Sequence, residues 1–234
     1  MNLSLDSLLE GQLLLVDKPL HWTSFQAVNK LRWAIKKKYG LKKIKVGHAG
    51  TLDPLATGLL LICTGQMTKK IADVQALEKT YTGTITFGAT TPSYDLETAI
   101  DQHYPTNHIT PRGLALAKKK FEGLIEQYPP LFSAIKKEGK RLYEYARKGE
   151  EINIEARKVS IYTFDLTQIE IPNVDFLIRC SKGTYIRSLA HDFGAAVDSG
   201  AYLSRLKRTA IGQFSLDDAL TPEQIIDQLN RIST

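Results

Sequence analysis

The chain has little cysteine: among 234 residues only Cys63 and Cys180 carry thiols, both in apolar strand-like stretches. That pattern excludes a disulfide framework and reads as two small buried hydrophobes. His21, His48, His103, His108 and His191 make no metal-ligand spacing and there is no H-E-x-x-H, so no metal is expected. Long hydrophobic runs are missing too. Leu13–Val16 and Leu59–Cys63 fall far short of the roughly 20 residues that span a bilayer, so no membrane helix is expected. The first residues lack a positively charged start, a long apolar centre and a small-residue cleavage site, which points to the cytoplasm. The glycines around Gly47 and Gly50 fit neither G-x-x-x-x-G-K-[ST] nor G-x-G-x-x-G, so no nucleotide cofactor is called for. A G-x-S-x-G elbow is likewise absent. Without repeats, low-complexity tracts or a Gly/Ser linker, the expectation is one domain over residues 1–234.

What is present is positive charge. Lys and Arg outnumber Asp and Glu 31 to 25, a net charge of +6, which favours a polyanionic partner. The excess is clustered: Arg32–Lys45 holds seven Lys or Arg and no acid, with further clusters at Lys118–Lys120, Lys136–Lys148 and Arg205–Arg208. Any one of these reads as a solvated face; four together point to nucleic acid.

Periodicity predicts a strand at Gly11–Asp17 and, behind the capping box Thr23/Gln26, a helix with Phe25, Val28, Leu31 and Ile35 on its apolar side and Gly40 as its stop. Lys79–Gly88 alternates as a two-faced strand, while Arg157–Ile171 and Val174–Cys180 form an antiparallel hairpin around Ile171-Pro172-Asn173. Helices are predicted at Pro111–Gln127, opened by Thr110-Pro111, and at Pro222–Leu229, opened by Thr221 with Gln224. Because strands and helices mix without strict βαβ alternation, the fold class is α+β, or mixed α/β, around one sheet. The segment from Pro129 to Glu151, rich in lysine, arginine and tyrosine, reads as a basic excursion from that sheet.

One aspartate invites a functional reading. Asp53 precedes Pro54, which pushes its backbone out of the helical region, and the plain reading is a turn or an N-cap. In "RCSKGTYIRSLAHDFG" a strand passes into a helix with Thr184 as its expected cap and Arg187 in the first turn, where the helix dipole disfavours a cation. A carboxylate facing Arg187 would compensate that violation, and Asp53 is the candidate.

The stretches "GQLLLVDKPLHWTS", "GHAGTLDPLATGLL", "EKTYTGTITFGATT", "PPLFSAIKKEGKRLYEYAR" and "CSKGTYIRSLAHDFG" resemble the motifs of TruB-type tRNA pseudouridine synthases. The resemblance implies a pseudouridine-synthase fold, with a central, largely antiparallel sheet flanked by helices and a basic RNA-binding insertion at about residues 105–152. It implies isomerisation of a uridine at position 55 in the T arm of tRNA, by base flipping and without a cofactor. Asp53 would be the catalytic carboxylate, acting at C6, at C1′ or in an elimination. Tyr81 would stack on the uracil and serve proton removal, and Arg187 would pair with the aspartate. His48 would fill the space of the flipped base, Tyr185 and Leu203 would line the pocket, and Lys18 joins them as a substrate-binding residue. Lys136, Lys140 and Arg141 would meet the RNA backbone. Where the family has T-D-T-x-D this chain reads Thr91-Pro92-Ser93-Tyr94-Asp95, leaving Asp95 in register. No RNA-binding PUA domain is expected beyond Thr234, and a monomer is expected. The rival reading from another class is a tRNA-binding folding factor, an RNA chaperone whose catalysis is secondary.

Overall fold

In the computed structural model, which describes residues 2–133, 135–137, 139–150 and 152–232, the chain forms seven α-helices and thirteen strands among the described residues. In chain order these are α1 (Leu5–Glu10), β1 (Leu13–Lys18), α2 (Ser24–Tyr39), β2 (Val46–His48), β3 (Ala56–Thr64), α3 (Ile71–Ala76), β4 (Lys79–Phe87), β5 (Ala89–Thr90) and β6 (Gln102–His103). There follow α4 (Pro111–Lys118), β7 (Gly123–Gln127), β8 (Lys136–Lys137), β9 (Lys140–Arg141), α5 (Leu142–Lys148), β10 (Arg157–Glu170), β11 (Asn173–Cys180), α6 (Ile186–Ala195), β12 (Ala201–Ile211), β13 (Phe214–Ser215) and α7 (Pro222–Arg231). The chain divides into two compact units, residues 1–81 with 207–234, and residues 82–206.

The first unit is built on β3. Its run Leu59–Cys63 is buried on both faces, as a central strand requires, and it pairs antiparallel with β1 and β2. Strand order here is β1-β3-β12, with β13 on the end of β12. Ala49, Leu59, Leu61, Val74 and Ile211 form a core cluster. On α2 the capping box forms as predicted: Gln26 N–H donates to Thr23 Oγ1 at 3.0 Å and Thr23 N–H to Gln26 Oε1 at 2.7 Å. Gly40 ends the helix with a left-handed φ of 62°. The buried face is Ala27, Val28, Leu31, Ala34 and Ile35. Phe25, expected on that face, is 63% exposed, because its neighbour Ser24 turns inward instead. The helix α7 packs on α2, and Lys38 Nζ caps its C-terminal end through the carbonyls of Asn230 and Ile232.

The second unit carries the strand order β12-β4-β11-β10-β7. Strand β4 alternates buried and half-buried residues throughout, with Ile85 and Phe87 inward, as read from the sequence. Strands β10 and β11 form the predicted antiparallel hairpin, and Phe193 of α6 collects Phe87, Phe121 and Phe164 edge-on at 5.2–5.8 Å. The helix predicted over Pro111–Gln127 stops early. Thr110 caps it as expected, accepting from Gly113 N–H, but Gly123 adopts a left-handed φ of 86° and Gly123–Gln127 becomes β7, antiparallel to Arg157–Ile161. The pull of a long-range strand partner overrides a local helical pattern there.

Within the segment at about 105–152, α4 and β7 thus belong to the body of the unit, and residues 131–150 form the basic excursion; positions 134, 138 and 151 lie outside the described residues. Cys63 and Cys180 are both buried. Among the described residues no helix is long and apolar enough to cross a membrane.

Candidate active site

Asp53 sits in a tight turn, not at a helix N-cap. Its carbonyl accepts from Ala56 N–H at 3.1 Å, with Pro54 and Leu55 as the central residues, and β3 begins at once. The flanking backbone is bonded residue by residue. Arg208 donates from Nη2 to Gly50 O at 3.1 Å and from Nη1 to Thr51 O at 3.5 Å. Ser24 Oγ donates to Leu52 O at 3.0 Å and accepts from Leu52 N–H at 2.8 Å. Pro54 O accepts from His21 N–H at 2.8 Å. Every carbonyl from Gly50 to Pro54 therefore has a donor, so the loop holding Asp53 cannot shift without breaking several bonds.

Around it the first unit places cations. Lys18, the last residue of β1, is fully buried, and its Nζ donates to Pro19 O at 2.9 Å and Trp22 O at 2.5 Å. Burial pulls its pKa down to about 8; Asp53 and Asp17 oppose that shift and Arg208 adds to it. Folding thus disfavours the protonated amine relative to the unfolded chain. Between about pH 8 and its ordinary 10.5 the unfolded chain holds the extra proton, so stability rises with pH across that window. The neutral amine still has two N–H donors for its two carbonyls. We expect the thermal midpoint of the parent, relative to Lys18→Met, to climb between pH 8 and 10.5; a flat difference would mean that Lys18 is not desolvated. His48 ends β2 opposite Ile62, and its imidazole pKa is lowered by burial and then by the Arg208 charge, with the Gly50 backbone opposing, which favours the neutral ring. Tyr81 lies on β4 and is buried.

In the second unit Arg187, 4% exposed, stands in the first turn of α6 as expected, with its head turned inward and not back to solvent. Its Nη1 donates to Ser93 O at 3.1 Å and its Nη2 to Phe132 O at 3.0 Å, and Nε lies 3.6 Å from Asp95 Oδ2. Asp95 itself accepts from Glu97 N–H at 3.0 Å. The register with the family motif thus corresponds to a buried ion pair. Leu203 is buried and its N–H donates to Tyr94 O at 2.9 Å, so one short loop touches both Arg187 and Leu203. Thr184 does not cap α6; its hydroxyl turns back to Ser181 O, and the N-cap is Tyr185. Gln127 grips that residue's backbone, accepting from Tyr185 N–H at 2.8 Å and donating to Tyr185 O at 3.0 Å. Lys136 and Arg141 face each other across the β8–β9 hairpin, as do Lys137 and Lys140. Like charges directly opposed destabilise a hairpin, and an anion laid across it would relieve them.

Sequence reading missed Ser24 and Arg208. Thr23 drew attention as the cap, and Arg208 looked like part of a surface cluster, whereas it is 2% exposed. Two glycines outside the loop allow close backbone approach: a Cβ on Gly58 would lie 2.3 Å from Arg208 O and one on Gly65 2.1 Å from Leu9 O. Among the described residues no group of three or more His, Cys, Asp or Glu is placed to hold a metal.

The mixed α/β chain, with its large and mostly antiparallel sheet flanked by helices, has the fold of the pseudouridine synthases. The chain belongs to the TruB family: residues 36–186 match the family described as TruB family pseudouridylate synthase (N terminal domain). It is 61% identical to tRNA pseudouridine synthase B of Flavobacterium johnsoniae over 213 residues, 91% of this chain and 93% of that one. It is 51% identical to the protein of the same name from Phocaeicola vulgatus over 222 residues, 95% and 94% of the two chains. Among solved structures it resembles the crystal structure of a Cbf5-Nop10-Gar1 complex, with a TM-score of 0.69 and 29% identity. A structure of an H/ACA RNP bound to a substrate RNA containing 2′-deoxyuridine follows, with a TM-score of 0.67 and 26% identity. The match covers 94% of this chain in each case, and the chain spans about half the length of the chains in those structures, 54% and 53%.

Proposed function

We propose that this protein converts one uridine of tRNA, position 55 in the T arm, to pseudouridine. The observation that carries the proposal is Asp53, held in a turn whose carbonyls are all bonded, within a chain 61% identical to a tRNA pseudouridine synthase B. The reaction breaks the bond from N1 to C1′ and joins C5 to C1′; C5 loses a proton and N1 gains one, so neither oxidant nor energy source is required. In this reading Asp53 supplies the carboxylate and Tyr81 stacks on the base and serves removal of the C5 proton. Tyr185 and Leu203 line the pocket, His48 takes the place of the base that leaves the stack, and Lys18 supports the substrate-binding backbone. Arg187 would pair with Asp53 in this reading; its own contacts include Ser93 O, Phe132 O and, at 3.6 Å, Asp95 Oδ2. Unstacking the base costs a few kcal/mol, which loop RNA lowers and stacking, worth about 1–3 kcal/mol per base, partly returns.

The test is tritium release from a tRNA transcript labelled at C5 of uridine. One equivalent per tRNA, lost when position 55 is made cytidine, is the expected result. Tight binding without release would instead favour the folding-factor reading, and free uracil or strand scission would indicate a hydrolase.

Lys136, Lys140 and Arg141 are proposed to neutralise RNA phosphates, and the opposed like charges of their hairpin support this. Lys136→Glu with Lys140→Glu should weaken tRNA binding and reduce the slope of log K against log salt by about 1.4–1.8, two contacts at roughly 0.7–0.9 each. Filter binding at several salt concentrations measures it, and an unchanged slope removes these lysines from the interface.

A further inference from the structure

The guanidinium of Arg208 is buried without an acid. Among the described residues no carboxylate lies within 4.0 Å of it; its charge is met by three carbonyl dipoles, Leu59 O from Nε at 2.7 Å and the Gly50 and Thr51 carbonyls of the aspartate loop. Burying a charge this way is costly, and a neutral amide could satisfy only part of the set. The planar five-donor fork is what allows one side chain to hold a rigid strand at one edge and a loop at the other. The seat is built for it as well. Lys18 and Gly58 are register partners, Gly58 has a left-handed φ of 97°, and the missing Cβ lets the Arg208 backbone lie directly against β3.

We propose that Arg208 is a positioning residue for pseudouridine formation: it clamps Gly50 and Thr51 to β3 and so sets where Asp53 presents its carboxylate, with Ser24 of α2 as the opposing brace on Leu52. This rests on Asp53 being the catalytic carboxylate. Arg208 touches no reacting atom; it acts through the loop.

The experiment compares single-turnover and steady-state tritium release by the parent, Arg208→Met, Arg208→Lys, Ser24→Ala and the double variant Ser24→Ala/Arg208→Met, each below its own thermal midpoint. A misplacement of about 1 Å can lower a rate about 100-fold, and that is the fall in kcat expected for Arg208→Met, with KM and tRNA affinity within about threefold. Arg208→Lys, which keeps the charge and reaches fewer carbonyls, should lie between it and the parent. Ser24→Ala should cost about tenfold, and the double variant less than the product, because both braces act on one loop. A folded Arg208→Met with parental kcat, a loss confined to KM, or strictly multiplicative effects would overturn the proposal. Should Arg208→Met fail to fold, Arg208→Lys and Ser24→Ala answer the same question. A parent that releases no tritium refutes the assigned function and not the clamp. Hydrogen exchange then judges the clamp: the Leu52 and Ala56 amides should exchange at least about tenfold faster in Arg208→Lys than in the parent, and equal rates would refute it.

Discussion

Asp53→Asn is expected to lower pseudouridine formation by at least about 10³-fold while leaving the fold and tRNA affinity near those of the parent. Asparagine keeps the shape and removes the charge on which nucleophilic or base chemistry depends. The turn itself is held by backbone groups, Asp53 O with Ala56 N–H, the Leu52 amide and carbonyl on Ser24, and Pro54 O on His21, none of which involves the carboxylate. A folded, binding, inactive variant separates chemistry from recognition. A second readout comes from Lys18. The Asp53 charge opposes the fall of its pKa to about 8, so Asp53→Asn should move Lys18 lower still, and the window in which stability rises with pH should open at a lower value. Retention of more than about a tenth of the parental rate would return Asp53 to the role of a turn residue.

The parts of this fold legible in the sequence were those whose signals are local. Thr23 with Gln26 and Thr221 with Gln224 form real capping boxes, Thr110-Pro111 opens a real helix, and the alternation of Lys79–Phe87 is the alternation of β4. Misreadings occurred where a distant partner decides. The residues of β7 follow α4 without a proline, and only pairing with β10 makes them a strand. Burial of Arg208 depends on the neighbours of β12, so its spacing within Arg205–Arg208 could not separate it from an exposed arginine such as Arg205, which reaches Asp175 at the surface. The same holds for the candidate site. Motif resemblance named Asp53 and Arg187, but the braces that hold them, Ser24 and Arg208 for one and Asp95 and Ser93 for the other, come from residues 29 to 155 positions away, and their spacing carries no periodic signal. Violations of local rules were better guides. The cation in the first turn of α6, for which Asp53 was the candidate carboxylate, is buried with Asp95 Oδ2 at 3.6 Å.

Gly58→Ala should be strongly destabilising. Two effects add. At φ 97° the backbone lies outside the range of an ordinary side chain, a strain of order 1–3 kcal/mol. In addition the new Cβ would meet Arg208 O at 2.3 Å and Arg208 N at 3.0 Å, both backbone atoms of a paired strand with no rotamer to yield. Gly40→Ala provides the control, since Gly40 also has a left-handed φ, 62°, but nothing lies within 4 Å of the added methyl. That variant should lose only about 1 kcal/mol, the cost of the conformation alone. We expect Gly58→Ala to lose at least about 3 kcal/mol in urea unfolding, to show a thermal midpoint lower by more than about 5 °C, and, where still folded, to lose activity beyond the unfolded fraction. The activity loss follows from the geometry: a displaced Arg208 backbone carries its guanidinium away from Gly50 and Thr51, and the aspartate loop loses one of its two side-chain braces. Equal losses in the two glycine variants would show that the close approach of β3 to Arg208 contributes nothing, and that the conformation alone requires glycine there.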